Sequence, residues 1–145
     1  MTQRLVIAVV LMAVAAAAAF AIQRRRPQPP TQARYSVPAQ IDRSDFDRPE
    51  APWLVVVFTS EICDSCKSAL EKAFVLASDE VVVVDASWQA RPDLHRRYSI
   101  DAAPTIVVAD PDGIVRAAFT GDPTATDLWA AVAEARNPTP PDPDA

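Results

Sequence analysis

The sequence predicts an α/β domain with a mixed, mostly parallel central sheet and helices on both faces, plus one N-terminal transmembrane helix. Three observations carry that expectation. Apolar runs rich in β-branched residues recur at Trp53–Phe58, Val81–Val84 and Thr105–Ala109. Stretches with apolar residues at helical spacing separate and follow them. The eighteen residues from Leu5 to Ile22 carry no charge.

The elements follow in order. Trp53–Phe58 (WLVVVF) is continuously apolar, the pattern of a strand buried on both faces. Thr59–Ile62 leads into a helix predicted over Asp64–Ala77, with Ala69, Leu70, Ala73, Phe74 and Leu76 near helical spacing and Lys67, Glu71 and Lys72 toward solvent. Val81–Val84, closed by Asp85, reads as a second buried strand. Pro92–Tyr98 suits a short helix, because proline is tolerated in a first turn. Thr105–Ala109 is a third strand, Asp110-Pro111-Asp112-Gly113 has turn composition, and Ile114–Phe119 returns to form a hairpin. The last helix is expected over Thr124–Ala135, striped by Leu128, Trp129, Val132 and Ala133. The order is β-α-β-α-β-β-α. Helical crossovers imply parallel pairing for at least one pair of the first three strands, and the hairpin adds an antiparallel edge.

Charge is unevenly placed. Through position 36 there are five arginines and no acid, a charge of +5; the remaining nine Lys/Arg face all nineteen Asp/Glu, giving −10 and the chain total of −5. So acidic a domain repels phosphate backbones, which argues against nucleic acid as a partner. At about 1.5 Å per residue, Leu5–Ile22 covers about 27 Å, enough for a thin hydrocarbon core. A cleaved signal peptide is the alternative, with Arg4 ahead of the apolar run and Ala19-Phe20-Ala21 as a small-x-small site. The basic cluster Arg24-Arg25-Arg26 resists translocation and favours an anchor, which makes the protein a single-pass membrane protein. By the positive-inside tendency the soluble domain is then cytoplasmic, the alternative being extracytoplasmic. The chain divides into an anchor (5–22), a proline-rich linker (23–40), a folded domain (41–136) and a disordered tail (137–145).

Cys63-Asp64-Ser65-Cys66 falls where the first buried strand passes into the first helix. A helix N-terminus favours an anion, so a thiolate on Cys63 is stabilised there, and the spacing brings Cys66 one turn on, within reach of the Cys63 sulfur. Attack by the first thiolate makes a mixed disulfide that the second thiol resolves. Zinc needs further ligands, and only His95 remains to join two cysteines in one chain. No metal is therefore expected within one chain, a zinc site shared between two chains being the alternative, and no cofactor is expected. A disulfide-locked pair without turnover is the plain structural alternative. Of the other candidates, Trp129 reads as core, His95 and Arg96-Arg97 as helix surface, and Trp88 as a loop residue that either borders the active-site face or does not.

The stretch Val55–Lys67 (VVVFTSEICDSCK) resembles the active-site segment of thioredoxins, and Tyr98–Ile106 (YSIDAAPTI) resembles their second signature. Asp110–Val115 and Gly121 match the hairpin and the glycine after it; the likeness covers about 51–135 and, with the apolar segment ahead, is to a membrane-anchored bacterial thioredoxin-domain protein. It implies a cis Pro104 facing the dithiol, and a backbone at Ala103 that holds an extended substrate segment. The departures are equally specific. Ile62 stands where thioredoxins carry tryptophan, Asp64-Ser65 replaces glycine-proline, and Val57 takes the place of a buried aspartate that assists the second cysteine. Asp64 opposes a Cys63 thiolate, which Lys67 partly offsets. Without an acid at Val57, proton transfer at Cys66 relies on water or another group, Glu61 among the candidates.

The expected activity is a membrane-tethered thiol–disulfide exchange on protein thiols or disulfides. The expected partners are those proteins, an electron-donating reductase or membrane protein, and the membrane itself through the N-terminal helix. The competing readings are a non-catalytic binding module using the same groove, and an extracytoplasmic factor that matures copper- or haem-protein thiols.

Overall fold

The structure is a computed structural model that describes residues 35–138. The anchor segment, the linker before residue 35 and residues 139–145 of the tail lie outside the described residues; among the described residues no helix is long and apolar enough to cross a membrane.

A 3-10 turn at Arg43–Asp45 precedes β1 (Trp53–Thr59), α1 (Cys66–Phe74), β2 (Val81–Ser87), α2 (Pro92–Arg97), β3 (Thr105–Ala109), β4 (Val115–Thr120) and α3 (Ala125–Arg136). The strands form one sheet in the order β2-β1-β3-β4. β1 therefore has a partner on each side, which is why Leu54 to Phe58 are all fully buried. Its even-numbered side chains, Leu54, Val56 and Phe58, pack with Leu94 and Tyr98 under α2, while Val55 and Val57 pack with Ala69, Ala73, Leu128 and Val132 from α1 and α3. Each of the fully buried Val, Leu and Phe side chains among them contributes about 1.5–3 kcal/mol by leaving water.

The sheet is mixed, but not mostly parallel as expected. β1 pairs parallel with β2 and antiparallel with β3, and β3 pairs antiparallel with β4. The reason lies in α2. At about 1.5 Å per residue, its six residues advance the chain about 9 Å. A strand as long as β2, at about 3.3 Å per residue, needs about 23 Å of return. The chain thus re-enters at the end where β2 left, with Thr105 beside Phe58, and β3 must run back against β1.

Helix ends also differ from expectation. α1 begins at Cys66 rather than Asp64, since Cys63–Ser65 form a turn closed by the Cys66 N–H donating to the Cys63 carbonyl, 3.3 Å. It ends at Phe74, where the N–H groups of Leu76 and Ala77 turn back three residues to Ala73 and Phe74. Phe74 and Trp129, expected in the core, lie outside it: Phe74 is half-exposed and Trp129 is 40% exposed. The Trp129 indole N–H donates to the Lys72 carbonyl at 3.1 Å, satisfying a carbonyl in the last turn of α1 that the early end orphans. Ala133 faces solvent, leaving Leu128 and Val132 as the buried stripe of α3. Lys72, expected in solvent, is half-buried, and its Nζ lies 2.8 Å from both Asp122 Oδ1 and the Pro123 carbonyl.

The entering chain is tied down before β1. The Val115 N–H donates to the Ala39 carbonyl (3.0 Å) and the Ile41 N–H to the Gly113 carbonyl (2.8 Å), so residues 39–41 run along the outer edge of β4. The buried Arg43 then donates to the carbonyls of Asp110 (2.7 Å) and Ala51 (2.6 Å). Gly113, at φ 76°, lies so close to this segment that an added Cβ would sit 2.0 Å from the Ile41 carbonyl oxygen. Gly121, at φ 92°, has open space where a Cβ would go. Gly113→Ala is therefore expected to cost about 2–4 kcal/mol and Gly121→Ala only about 1–2 kcal/mol by urea denaturation, the first adding a clash to the shared backbone strain. Equal costs would show that Ile41 gives way freely.

Asp110, buried at the turn, accepts from the N–H groups of Asp112 and Ile114, both at 3.0 Å, and from the Arg116 guanidinium at 2.7 Å. Burial pushes its carboxyl up, but the Arg116 and backbone donors outweigh that and hold it below the ordinary carboxylate range. A carboxyl depressed in the folded state stabilises fully above its unfolded pKa of about 4, and that contribution is lost as pH falls through the lower folded value. Urea midpoints should thus fall below about pH 4, and Asp110→Asn should lower stability at neutral pH while flattening that acid limb. An unchanged acid limb in the variant would exclude Asp110 as its source.

Candidate active site at the strand-to-helix junction

Cys63 and Cys66 are disulfide-bonded, with their Cα atoms 5.4 Å apart. The two cysteines differ in access: Cys66, the first residue of α1, is buried at 4% exposure, while Cys63 in the preceding turn is partly exposed. The Ser65 hydroxyl lies 3.8 Å from Cys63 Sγ, a contact that sequence reasoning did not single out. The turn is pinned from outside by the Glu61 N–H, which donates to Gln89 Oε1 at 3.2 Å.

The Ala103–Pro104 peptide is cis, Pro104 is buried and Ala103 is exposed. Thr105 pairs with Phe58 across the β1–β3 ladder, which sets this loop level with the start of the dithiol turn. Ile62, next to Cys63, and Ala103, next to Pro104, line one groove of about 550 Å³. Ile62 is 91% exposed, so the residue standing in the tryptophan position presents its whole aliphatic surface to solvent.

Trp88 and His95 complete that groove. Trp88 continues the β1–β2 ladder by donating its N–H to the Thr59 carbonyl at 2.9 Å, and it is 43% exposed. His95, expected on the helix surface, is only 4% exposed. Its Nε2 lies 2.7 Å from the Ala86 carbonyl, and its ring meets Phe58 and Trp88 edge-on at 5.2 and 5.3 Å between centroids. A six-residue helix lying flat on the sheet buries adjacent positions as well as every fourth, so Leu94, His95 and Tyr98 all turn inward. The strand carbonyl gives the imidazole the partner it needs there. Arg96 and Arg97 do face solvent, and Arg97 pairs with Asp42 and Asp45.

Val57 is fully buried and brings no acid to the site. Its register partner on β2 is Asp85, an exposed acid that accepts from the Thr59 hydroxyl at 2.6 Å. Glu61 and Asp64 are exposed, and Lys67 lies 4.0 Å from Glu71. Among the described residues no cluster of three or more His, Cys, Asp or Glu side chains is arranged to hold a metal ion.

Neither a protein-family model nor a curated protein matches the sequence. Solved structures do match in fold. A thioredoxin from Fasciola hepatica is 26% identical, with 58% of this chain aligned to 81% of that one at a TM-score of 0.51. The oxidised mitochondrial thioredoxin 3 of Saccharomyces cerevisiae is 23% identical over 59% of this chain and 81% of its own, TM-score 0.50. A mutant thioredoxin from Halobacterium salinarum is 16% identical over 72% of this chain and 93% of its own, TM-score 0.57. The described domain has a thioredoxin-like fold, and its Cys63–Cys66 pair is the disulfide-forming dithiol of a thiol–disulfide oxidoreductase.

Proposed function

We propose that the chain is a membrane-tethered thiol–disulfide oxidoreductase that acts on protein disulfides, with Cys63 as nucleophile and Cys66 as resolving thiol. The observation that carries the assignment of roles is the difference in access between the two cysteines, Cys63 partly exposed beside the groove and Cys66 buried at the head of α1. In the reduced protein the Cys63 thiolate attacks one sulfur of a substrate disulfide, forming a mixed disulfide and expelling a substrate thiolate, which takes a proton from water. The Cys66 thiol then gives up its proton and attacks Cys63 Sγ, expelling the second substrate thiolate and closing the Cys63–Cys66 bond. Two electrons pass from the dithiol to the substrate. An external dithiol or reductase restores the starting state.

The positive end of the α1 dipole and the Ser65 hydroxyl, 3.8 Å from Cys63 Sγ, support the thiolate, and Asp64 opposes it. With Val57 in place of an acid, the Cys66 proton passes to water. Ala103 and Pro104 form the proposed substrate-binding segment, the exposed backbone at Ala103 offering an extended chain its hydrogen-bonding groups. Tethering through Leu5–Ile22, with the domain on the cytoplasmic side, would concentrate the dithiol near membrane-bound partners, including its own reductase. Insulin reduction by the full chain in the presence of dithiothreitol tests the activity. Protection of Cys63 from a membrane-impermeant thiol reagent on intact cells tests the sidedness, and labelling there would reverse it.

A further inference from the structure

The groove beside the dithiol has a chemical character of its own. Ile62, Trp88, Ile100, Ala102 and Ala103 give it an apolar wall, interrupted by the polar Ser60 and Gln89 and by one charged residue, Asp101. Its volume, about 550 Å³, lies in the range of clefts that take a small ligand or a short peptide segment. The wall is held from behind. His95 is anchored by its hydrogen bond to the Ala86 carbonyl and wedged between the rings of Phe58 and Trp88. The indole is therefore backed by a fixed ring.

The charged residue of the lining, and the charged neighbours of Ile62 and Cys63 in the turn, are acidic. Asp101 stands in the lining, Glu61 precedes Ile62, Asp64 follows Cys63, and all three are exposed. Among the described residues none of the three takes part in an ion pair. The cation closest in sequence, Lys67, lies 4.0 Å from Glu71. Of the other basic groups on or beside α2, Arg91 is committed to Asp93 and the Asp45 carbonyl and Arg97 to Asp42 and Asp45, while Arg96 is exposed and does not line the groove.

From this juxtaposition of an apolar wall and a carboxylate rim we infer the substrate class: disulfide-bearing polypeptide segments with an apolar side chain next to the reacting cysteine and a lysine or arginine beyond it. The inference rests on the dithiol reading above. The apolar side chain lies against Trp88 and Ile62 while the substrate sulfur meets Cys63, and the cation reaches the carboxylates of Asp101, Glu61 and Asp64. An anionic segment is repelled by the same groups. Trp88 and Asp101 act as specificity residues, and His95 as a positioning residue that holds the indole.

Four disulfide-closed peptides test it, with Leu or Ser before the reactive cysteine and Lys or Glu two residues beyond. Each is reduced by the full chain with dithiothreitol as the consumed dithiol, and kcat/KM is read above the uncatalysed rate. At low ionic strength the Lys peptides should exceed their Glu counterparts about tenfold, and in molar salt that ratio should shrink to about twofold or less. The Leu peptides should exceed the Ser peptides about tenfold, with little effect of salt. Asp101→Asn combined with Glu61→Gln should shrink the Lys-to-Glu ratio alone. Trp88→Ala should shrink the Leu-to-Ser ratio alone, and His95→Ala should do so in part. Equal rates for all four peptides would overturn the inference. An uncharged small disulfide, 2-hydroxyethyl disulfide, separates the two levels. If it turns over while the peptides are not distinguished, only the substrate class fails; if it does not turn over, the dithiol reading fails and the inference with it.

Discussion

Full-length protein carrying Cys63→Ser is expected to reduce disulfides no faster than the uncatalysed exchange, a fall of about a thousandfold or more from the unmodified chain. A serine hydroxyl at neutral pH is neither ionised nor soft enough to open a disulfide, whereas a thiolate is both. Cys66→Ser should behave differently, because its first step is intact. The partly exposed Cys63 still attacks, and the mixed disulfide then waits for an outside thiol. A stoichiometric adduct with the substrate should therefore appear on non-reducing electrophoresis in Cys66→Ser and not in Cys63→Ser. The asymmetry follows from the buried position of Cys66 against the partly exposed one of Cys63. The opposite pattern, adduct through Cys66 alone, would exchange the two roles. Equal turnover in all three proteins would remove the dithiol from the chemistry.

Phe58→Ala carries the largest expected cost to stability, about 3–5 kcal/mol in urea denaturation. Phe58 is fully buried near the end of β1, and its ring meets those of His95 and Tyr98 at 5.2 and 6.4 Å. Truncation removes its transfer free energy and leaves a void that strands on both sides of β1 prevent from closing. The effect should extend to the site, since the ring braces His95 and His95 braces Trp88. Trp88 fluorescence, measured in a Trp53→Phe, Trp129→Phe background, should broaden and become easier to quench in folded Phe58→Ala. A loss under about 1 kcal/mol would mean that the neighbours collapse into the space.

Local composition made much of this fold legible. Thr105–Ala109 has the same bounds in sequence and structure, because Pro104 and the Asp110–Gly113 turn fence it on both sides. The order of seven elements and the burial of the first strand on both faces follow from apolar runs and their spacing. The direction of β3 was not legible, because it depends on how far α2 carries the chain, a matter of geometry rather than pattern. The exposure of Phe74 and Trp129 was missed for a related reason: periodicity assumes that a helix continues, and α1 stops at Phe74. At the site, the proximity of Cys63 and Cys66 was readable from their spacing, and the cis peptide at Pro104 from the resemblance of Tyr98–Ile106 to the second thioredoxin signature. The groove was not. His95 is polar by residue type and buried by virtue of one strand carbonyl, and no single-sequence signal reports such a bond across nine positions.

The short ladder between residues 39–41 and the edge of β4 also has a mechanical meaning. Any pull on the domain through its N-terminus is borne first by the Ala39 and Ile41 hydrogen bonds, then by the two carbonyl grips of Arg43, before it can load β1. This arrangement works as a cable clamp. Tugging from the N-terminal side meets these bonds at the periphery of the sheet before it reaches the strand that ends in the dithiol turn.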